Sequence, residues 1–339
     1  MSTPPTIGPL LACAISDAYG AGFEFASAAY VKKHNRMTEY IPHPKFAGRP
    51  ANHYTDDTQM ALGLVEHLLS GKPTTAMALA DCWVEGFKRD PRQGYSKGFY
   101  DILTTVTSGA ELLSKVTPHS TKNGGAMRAF ACGVFPTPAM VMDMAMMQAS
   151  ITHATWRGMM AAAASALMFH YFYHRIGRKA DLVQALQNWL PGTDWSLQAL
   201  KQTTGNVSPE KGTDGLNTVR AAVHCVVQGN SLADVIQMAV SLGEDTDTGA
   251  AIVAASAAVS EEIRNALPDT LVAGLENGTY GRDYLIAMDN QLLHRFPSRW
   301  QIPPSFPVTK SKPKPATAPK PKPVESEPEE GPLDFLFKD

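Results

Sequence analysis

The chain has 339 residues, 30 Lys and Arg against 32 Asp and Glu, and 44% hydrophobic side chains. That is enough apolar material for a large core, which places it with the globular proteins. The near balance of charge excludes a protein that holds nucleic acid mainly through a basic field.

The four cysteines, Cys13, Cys82, Cys132 and Cys225, are widely spaced and form no CxxC pair. Neither a zinc ribbon nor a disulfide framework is expected, and a reducing, cytoplasmic compartment is the simplest home. At the N-terminus, Leu10-Leu11-Ala12-Cys13 has no Lys or Arg before it and follows Pro4-Pro5, so it reads as the start of a helix and not as a signal. From Ile7 to about Arg299 apolar residues recur at three- and four-residue spacing with little alternation, which predicts an all-α fold. If the first helix continues through Glu24, then Asp17, Gly20 and Glu24 lie along one stripe. The next strong pattern runs from Thr58 to Leu69, with Met60, Ala61, Leu64, Val65 and Leu68 facing a core. Asn123-Gly124-Gly125 reads as a loop whose glycines permit positive φ and close approach to a ligand. A further helix is expected over His153 to Tyr173, with Trp156, Met160, Ala164, Leu167 and Tyr171 as its core stripe. Met160 to Ser165 and Ala250 to Ala258 are rich in Ala and Ser, so these helices are expected to be central and buried on more than one side. The longest apolar runs are shorter than the roughly 20 residues a membrane span needs.

Composition divides the chain into a single compact domain over residues 1–306 and a tail over 307–339. The tail alternates Lys with Pro from Lys310 to Pro323 and then turns acidic from Glu325 to Glu330, which predicts an extended, mobile linker. It ends in Leu333, Phe335, Leu336 and Phe337, a segment suited either to a partner's groove or to packing back on its own domain.

Two strings carry the chemistry: Thr55-Asp56-Asp57-Thr58, followed at once by an apolar helix stripe, and Asp245-Thr246-Asp247-Thr248, followed by a small-residue helix. Alone, each reads equally well as a helix cap. Together they say more. In an extended or turning segment Asp245 and Asp247 point to one side, while Asp56 and Asp57 straddle a helix start, so four carboxylates could meet. Gathering them out of water is unfavourable unless cations neutralise them. Oxygen ligands without local His or Cys select a hard ion, Mg²⁺ first, Mn²⁺ second and Ca²⁺ third.

These strings resemble the paired metal motifs of the ADP-ribosylglycohydrolase family. Three further segments agree in order: Ser16-Asp17-Ala18-Tyr19-Gly20 with Phe23-Glu24-Phe25, Asn123 to Arg128, and Thr152-His153, which looks like a helix start. The resemblance covers about residues 7 to 296. It implies an all-α fold around two Mg²⁺ ions bound by Thr55, Asp56, Asp57, Asp245, Asp247 and Thr248, with Asp247 bridging. It further implies cleavage of the bond between ADP-ribose and an acceptor on a protein, nucleic acid or small molecule. Glu24, Asp56 and Asp57 are the catalytic candidates, with Glu24 facing the substrate. Tyr95, Ser96, Asn123, Gly124, Gly125, Arg128 and His153 are expected in the ligand pocket. Three positions depart from the family pattern, each where glycine is usual: Ser16, Lys122 and Glu244. Glu244 either adds a carboxylate beside the cluster or occupies a position with unusual backbone angles. The alternative is a catalytically weak ADP-ribose-binding scaffold that recruits a partner through its C-terminal segment.

Overall fold

A computed structural model describes residues 7–43, 48, 50–195 and 213–298, within one compact unit spanning Met1–Ile302. The residues of the expected tail lie outside those described. Among the described residues there are helices and isolated bridges but no strands, in line with the periodicity of the chain.

Two helices form the centre, and composition explains why. Helix α1 (Pro9–Gly20) is buried along its whole length. It lacks a capping side chain of its own, and Asp289 serves instead, accepting from the amides of Leu10 (2.8 Å) and Leu11 (2.9 Å). The helix that begins at Thr246 and ends at Ala257 packs along α1, and its Ala-rich sequence leaves little side-chain bulk between the axes. At the crossing Gly20 is required: a Cβ there would lie 2.6 Å from the Asp247 Cα.

In chain order the other helices are α2 (Ala28–His34), α3 (Asp56–Ser70), α4 (Ala76–Arg89), α5 (Lys97–Thr105), α6 (Gly109–Lys115) and the single turn α7 (Gly124–Met127). A 3₁₀ segment, Ala129–Val134, leads to α8 (Pro138–His153), α9 (Trp156–Tyr173) and α10 (Leu182–Trp189). Then come α11 (Gly215–Gln228), α12 (Leu232–Ser241), α13 (Thr246–Ala257, the partner of α1), α14 (Asp269–Gly274) and α15 (Arg282–Arg295). Helix α9 is buried on all sides from Ala161 to Tyr173, as its Ala content predicts. Its first residue, Trp156, is instead 50% exposed, so the expected core stripe starts one turn later.

Three boundaries differ from expectation. Helix α1 ends at Gly20, and Glu24 sits in the turns that follow, so it does not continue a helical stripe with Asp17. Thr152 and His153 close α8 instead of opening a helix, with α9 starting at Trp156 after a separate cap by Thr155. Gly124 and Gly125 lie in α7 without positive φ. Their small size matters for another reason: a Cβ on Gly124 would come within 3.0 Å of the His153 ring.

Candidate active site

The N-termini of α3 and α13 differ from those of six other helices. Helices α4, α6, α8, α9, α11 and α12 are capped by the preceding Ser, Thr or Asp, whose oxygen accepts an amide of the first turn. Thr55 before α3 and Asp245 before α13 make no such bond. The cap of α3 comes from α1. The Asp17 carboxylate accepts from the Thr55 amide (2.9 Å), the Thr58 amide (3.0 Å), the Thr55 hydroxyl (2.8 Å) and the Thr58 hydroxyl (2.6 Å). Asp56 and Asp57, in the first turn of α3, line a cavity.

That cavity has a volume of about 430 Å³, within the range of small-ligand sites. Every site residue named from the sequence lines it except Thr55 and Gly125. Asp56 and Asp57 occupy the first turn of α3, Asp247 and Thr248 the first turn of α13, and Asp245 its cap position. Asp245 and Asp247 therefore converge through a helix start, not through the alternation of an extended strand. Asp245 is oriented by Asn123, whose side-chain amide donates to it at 3.0 Å.

The electrostatics are unfavourable without a counter-charge. Asp57 and Asp247 are 2% and 3% exposed. Burial, then the charges of Asp56, Asp17 and Asp245, push the Asp57 carboxyl well above the ordinary carboxylate range. Burial, then Glu24, Asp245 and Asp57, do the same to Asp247. Asp57 Oδ1 is buried with no hydrogen-bond partner among the described residues. Carboxylate oxygens of Asp17, Asp57 and Asp247, and of Glu24, Asp245 and Asp247, fall within 4.8 Å of one another in two groups that share Asp247. A crowded, all-oxygen donor set with an orphaned acceptor fits hard divalent cations. Asp17 already takes four donors, so its part is that of a brace.

The other residues have definite places. A short loop brings Gly94, Tyr95 and Ser96 against the start of α3; glycine is required at 94 both by its φ of +111° and because a Cβ would collide with Asp56 and Thr55. Tyr95 is buried and donates its hydroxyl to Gln59 Oε1 at 2.8 Å. Arg128 is buried, makes no salt bridge to a described residue, and lies 4.1 Å over the Trp83 ring. Burial pushes its guanidinium down to about 9. Its donors go to Gln148, Thr152 and the Met60 sulfur. Burial, then Arg128 and Lys122, push His153 down to about 3, so its imidazole is neutral.

Of the two readings of Glu244, the backbone one applies: its φ is +64° and it is absent from the cavity wall. Its carbonyl accepts from the amide of Phe25, another residue at positive φ, which holds the Glu24 turn against the start of α13. Ser16 uses its hydroxyl within α1, donating to the carbonyls of Ala12 and Cys13. Sequence reading placed Asp17 on the first helix without its bracing role, and did not single out the apolar wall of Phe99, Ile102 and Val116. Asp17 carried a signal, being an acidic residue within an otherwise apolar helix. The wall residues carried none that separates them from core.

The ADP-ribosylglycohydrolase family model matches residues 6–301. The chain belongs to the ADP-ribosylglycohydrolase family. ADP-ribosylhydrolase ARH3 of Mus musculus is 25% identical over 307 residues, covering 74% of this chain and 82% of that protein. The Homo sapiens protein of the same name is 25% identical over 260 residues, covering 61% and 70%. A solved structure titled ADP-ribosylglycohydrolase-related protein complex superposes with a TM-score of 0.64 at 22% identity, over 85% of this chain and 96% of that one, which establishes the shared fold. This ADP-ribosylglycohydrolase is thus a hydrolase of ADP-ribose glycosidic bonds, and the scaffold alternative gains no support. Among the described residues no helix is long and apolar enough to cross a membrane.

Proposed function

We propose that this chain is a metal-dependent hydrolase that releases ADP-ribose from a modified acceptor, with two Mg²⁺ ions held by Thr55, Asp56, Asp57, Asp245, Asp247 and Thr248. The observation that carries this is the buried Asp57 Oδ1, without a hydrogen-bond partner among the described residues, inside a cluster of desolvated carboxylates. Such a cluster is costly unless cations complete it. When bound, the ions supply Lewis acidity that holds ribose hydroxyls and lowers the pKa of water.

The protein's own groups do the rest. Glycosidic cleavage develops positive charge at the anomeric carbon, and the anionic wall formed by Glu24, Asp56 and Asp245 favours that charge. Glu24 and Asp56, which are only partly buried, are the groups placed to take the proton of the attacking water. Asn123, Gly124 and His153 border the ligand from α7 and α8, while Phe99, Ile102 and Val116 offer apolar surface for a flat base. Lys122 places positive charge in the same cavity, suited to a diphosphate.

The test is release of free ADP-ribose from arginine-linked, serine-linked and nucleoside-linked substrates, with Mg²⁺ and with EDTA. Turnover on at least one acceptor is expected with Mg²⁺, and its loss with EDTA. Asp57→Asn and Asp247→Asn are each expected to reduce turnover by at least about 10²-fold, as for loss of a central electrostatic group, with helicity near wild type. Full activity in EDTA, or in both variants, would overturn the metal assignment.

A further inference from the structure

His153 ends α8 in the cavity wall and is 8% exposed. Its two ring nitrogens face different surroundings. Nδ1 lies 2.7 Å from the Thr152 hydroxyl oxygen. Nε2 has no hydrogen-bond partner among the described residues, and the Nε2 edge lies beside the backbone of Gly124, another wall residue. In a neutral imidazole one nitrogen donates and the other accepts, and the partner of one decides the role of the other.

The neighbours settle the direction. Arginine only donates, so the contact between Arg128 Nη2 and Thr152 Oγ1 (2.8 Å) uses the hydroxyl oxygen as acceptor. The hydroxyl proton must then find an acceptor of its own, and Nδ1 is the one within reach among the described residues. The opposite arrangement, with Nδ1–H donating, would leave the Thr152 proton unsatisfied in a buried site, which is unfavourable.

The guanidinium cannot turn away. Its Nε donates to Gln148 Oε1 (2.6 Å), its Nη2 reaches the Gln148 carbonyl (3.2 Å), and it stacks on Trp83. Gln148 cannot flip either, because its Nε2 donates to the Gly125 carbonyl at 2.7 Å and a carbonyl only accepts. Every bond from the Gly125 carbonyl through Gln148, Arg128 and Thr152 to the imidazole is therefore directed.

We infer that Gln148, Arg128 and Thr152 are positioning residues that lock His153 as a neutral Nε2–H donor, aimed into the cavity at an acceptor oxygen of ADP-ribose. The ligand half of this statement rests on the function proposed above; the donor half does not. It also gives Arg128 a place different from a direct phosphate contact, since its charge acts through Thr152.

The experiment uses the full chain with ¹⁵N-labelled imidazoles, free of ligand, with the His153 signals identified by their absence in His153→Gln. A protonated Nε2 and a bare Nδ1 are expected. Thr152→Val, which keeps the shape and removes the hydroxyl, is expected to lose the single tautomer and weaken ADP-ribose binding about tenfold in calorimetry. Thr152→Ser should restore both. A protonated Nδ1 in the wild type overturns the inference, and so does a Thr152→Val protein with unchanged tautomer and affinity. Should Thr152→Val not fold, the wild-type spectrum and Thr152→Ser still decide it. If the wild type shows the expected tautomer but binds no ADP-ribose, the functional reading and the ligand named here both fall. If it binds ADP-ribose with Nδ1 protonated, only this inference falls.

Discussion

Asp17 spends both carboxylate oxygens on Thr55 and Thr58, which fixes the start of α3 where Asp56 and Asp57 line the cavity. A residue that looks like an ordinary helix member thus caps a helix distant from it in sequence. Glu244 makes the complementary point through its backbone. At φ +64° its side chain crowds its own main chain, a conformation that costs an L-residue about 1–2 kcal/mol relative to glycine. Glu244→Gly is accordingly expected to raise unfolding free energy by about 1 kcal/mol in urea titrations, with an unchanged denaturant slope. No gain in stability would show that Glu244 makes an offsetting contact through its carboxylate.

At the level of elements, the paired acidic motifs were legible because each stands directly before a strong helix pattern, and their helices begin at Asp56 and Thr246. What the pattern did not show was who caps them, since Asp17 lies 38 residues before Thr55. The pairing of α1 with α13 depends on Gly20 in the same way. Gly20→Ala would press a methyl group onto Asp247 and Thr246 backbone, and overpacking of this kind typically costs about 1–3 kcal/mol. Its melting temperature should fall, and turnover should fall with it because Asp247 moves.

The cap of α1 carries a pH signature. Burial raises the Asp289 carboxyl from its ordinary 3.8 to about 7, against the pull of the Leu10 and Leu11 amides. Between about pH 4 and 7 the folded chain holds a proton that the unfolded chain has released. Asp289 therefore favours folding on the acid side, and that contribution is lost as pH rises through 7, by up to about 4 kcal/mol from linkage. The melting temperature of the wild type minus that of Asp289→Asn should decline from pH 5 to pH 7.5. A flat difference would mean that the amides hold the carboxylate ionised throughout.

For the molecule as a whole, one contiguous apolar cluster runs from Ile7 to Leu292, and the cavity opens where α3 and α13 start. All site residues belong to this unit. Removing residues 308–339, whose Lys, Pro and Glu content offers little to a core, is expected to leave turnover of a small ADP-ribosylated substrate within about twofold of wild type. A large loss of melting temperature in the truncated chain would show that Leu333, Phe335, Leu336 and Phe337 pack on the domain.

The sequence by itself determined the helical class and the central place of the Ala-rich helices, because periodicity and composition are local properties of the chain. Tertiary structure alone decided that Asp17 and Asp289 cap helices far from them in sequence, that Glu24 stands in a turn, and that Thr152 and His153 close a helix. Those outcomes depend on which buried amides and hydroxyls lack partners after packing, and no local pattern records that.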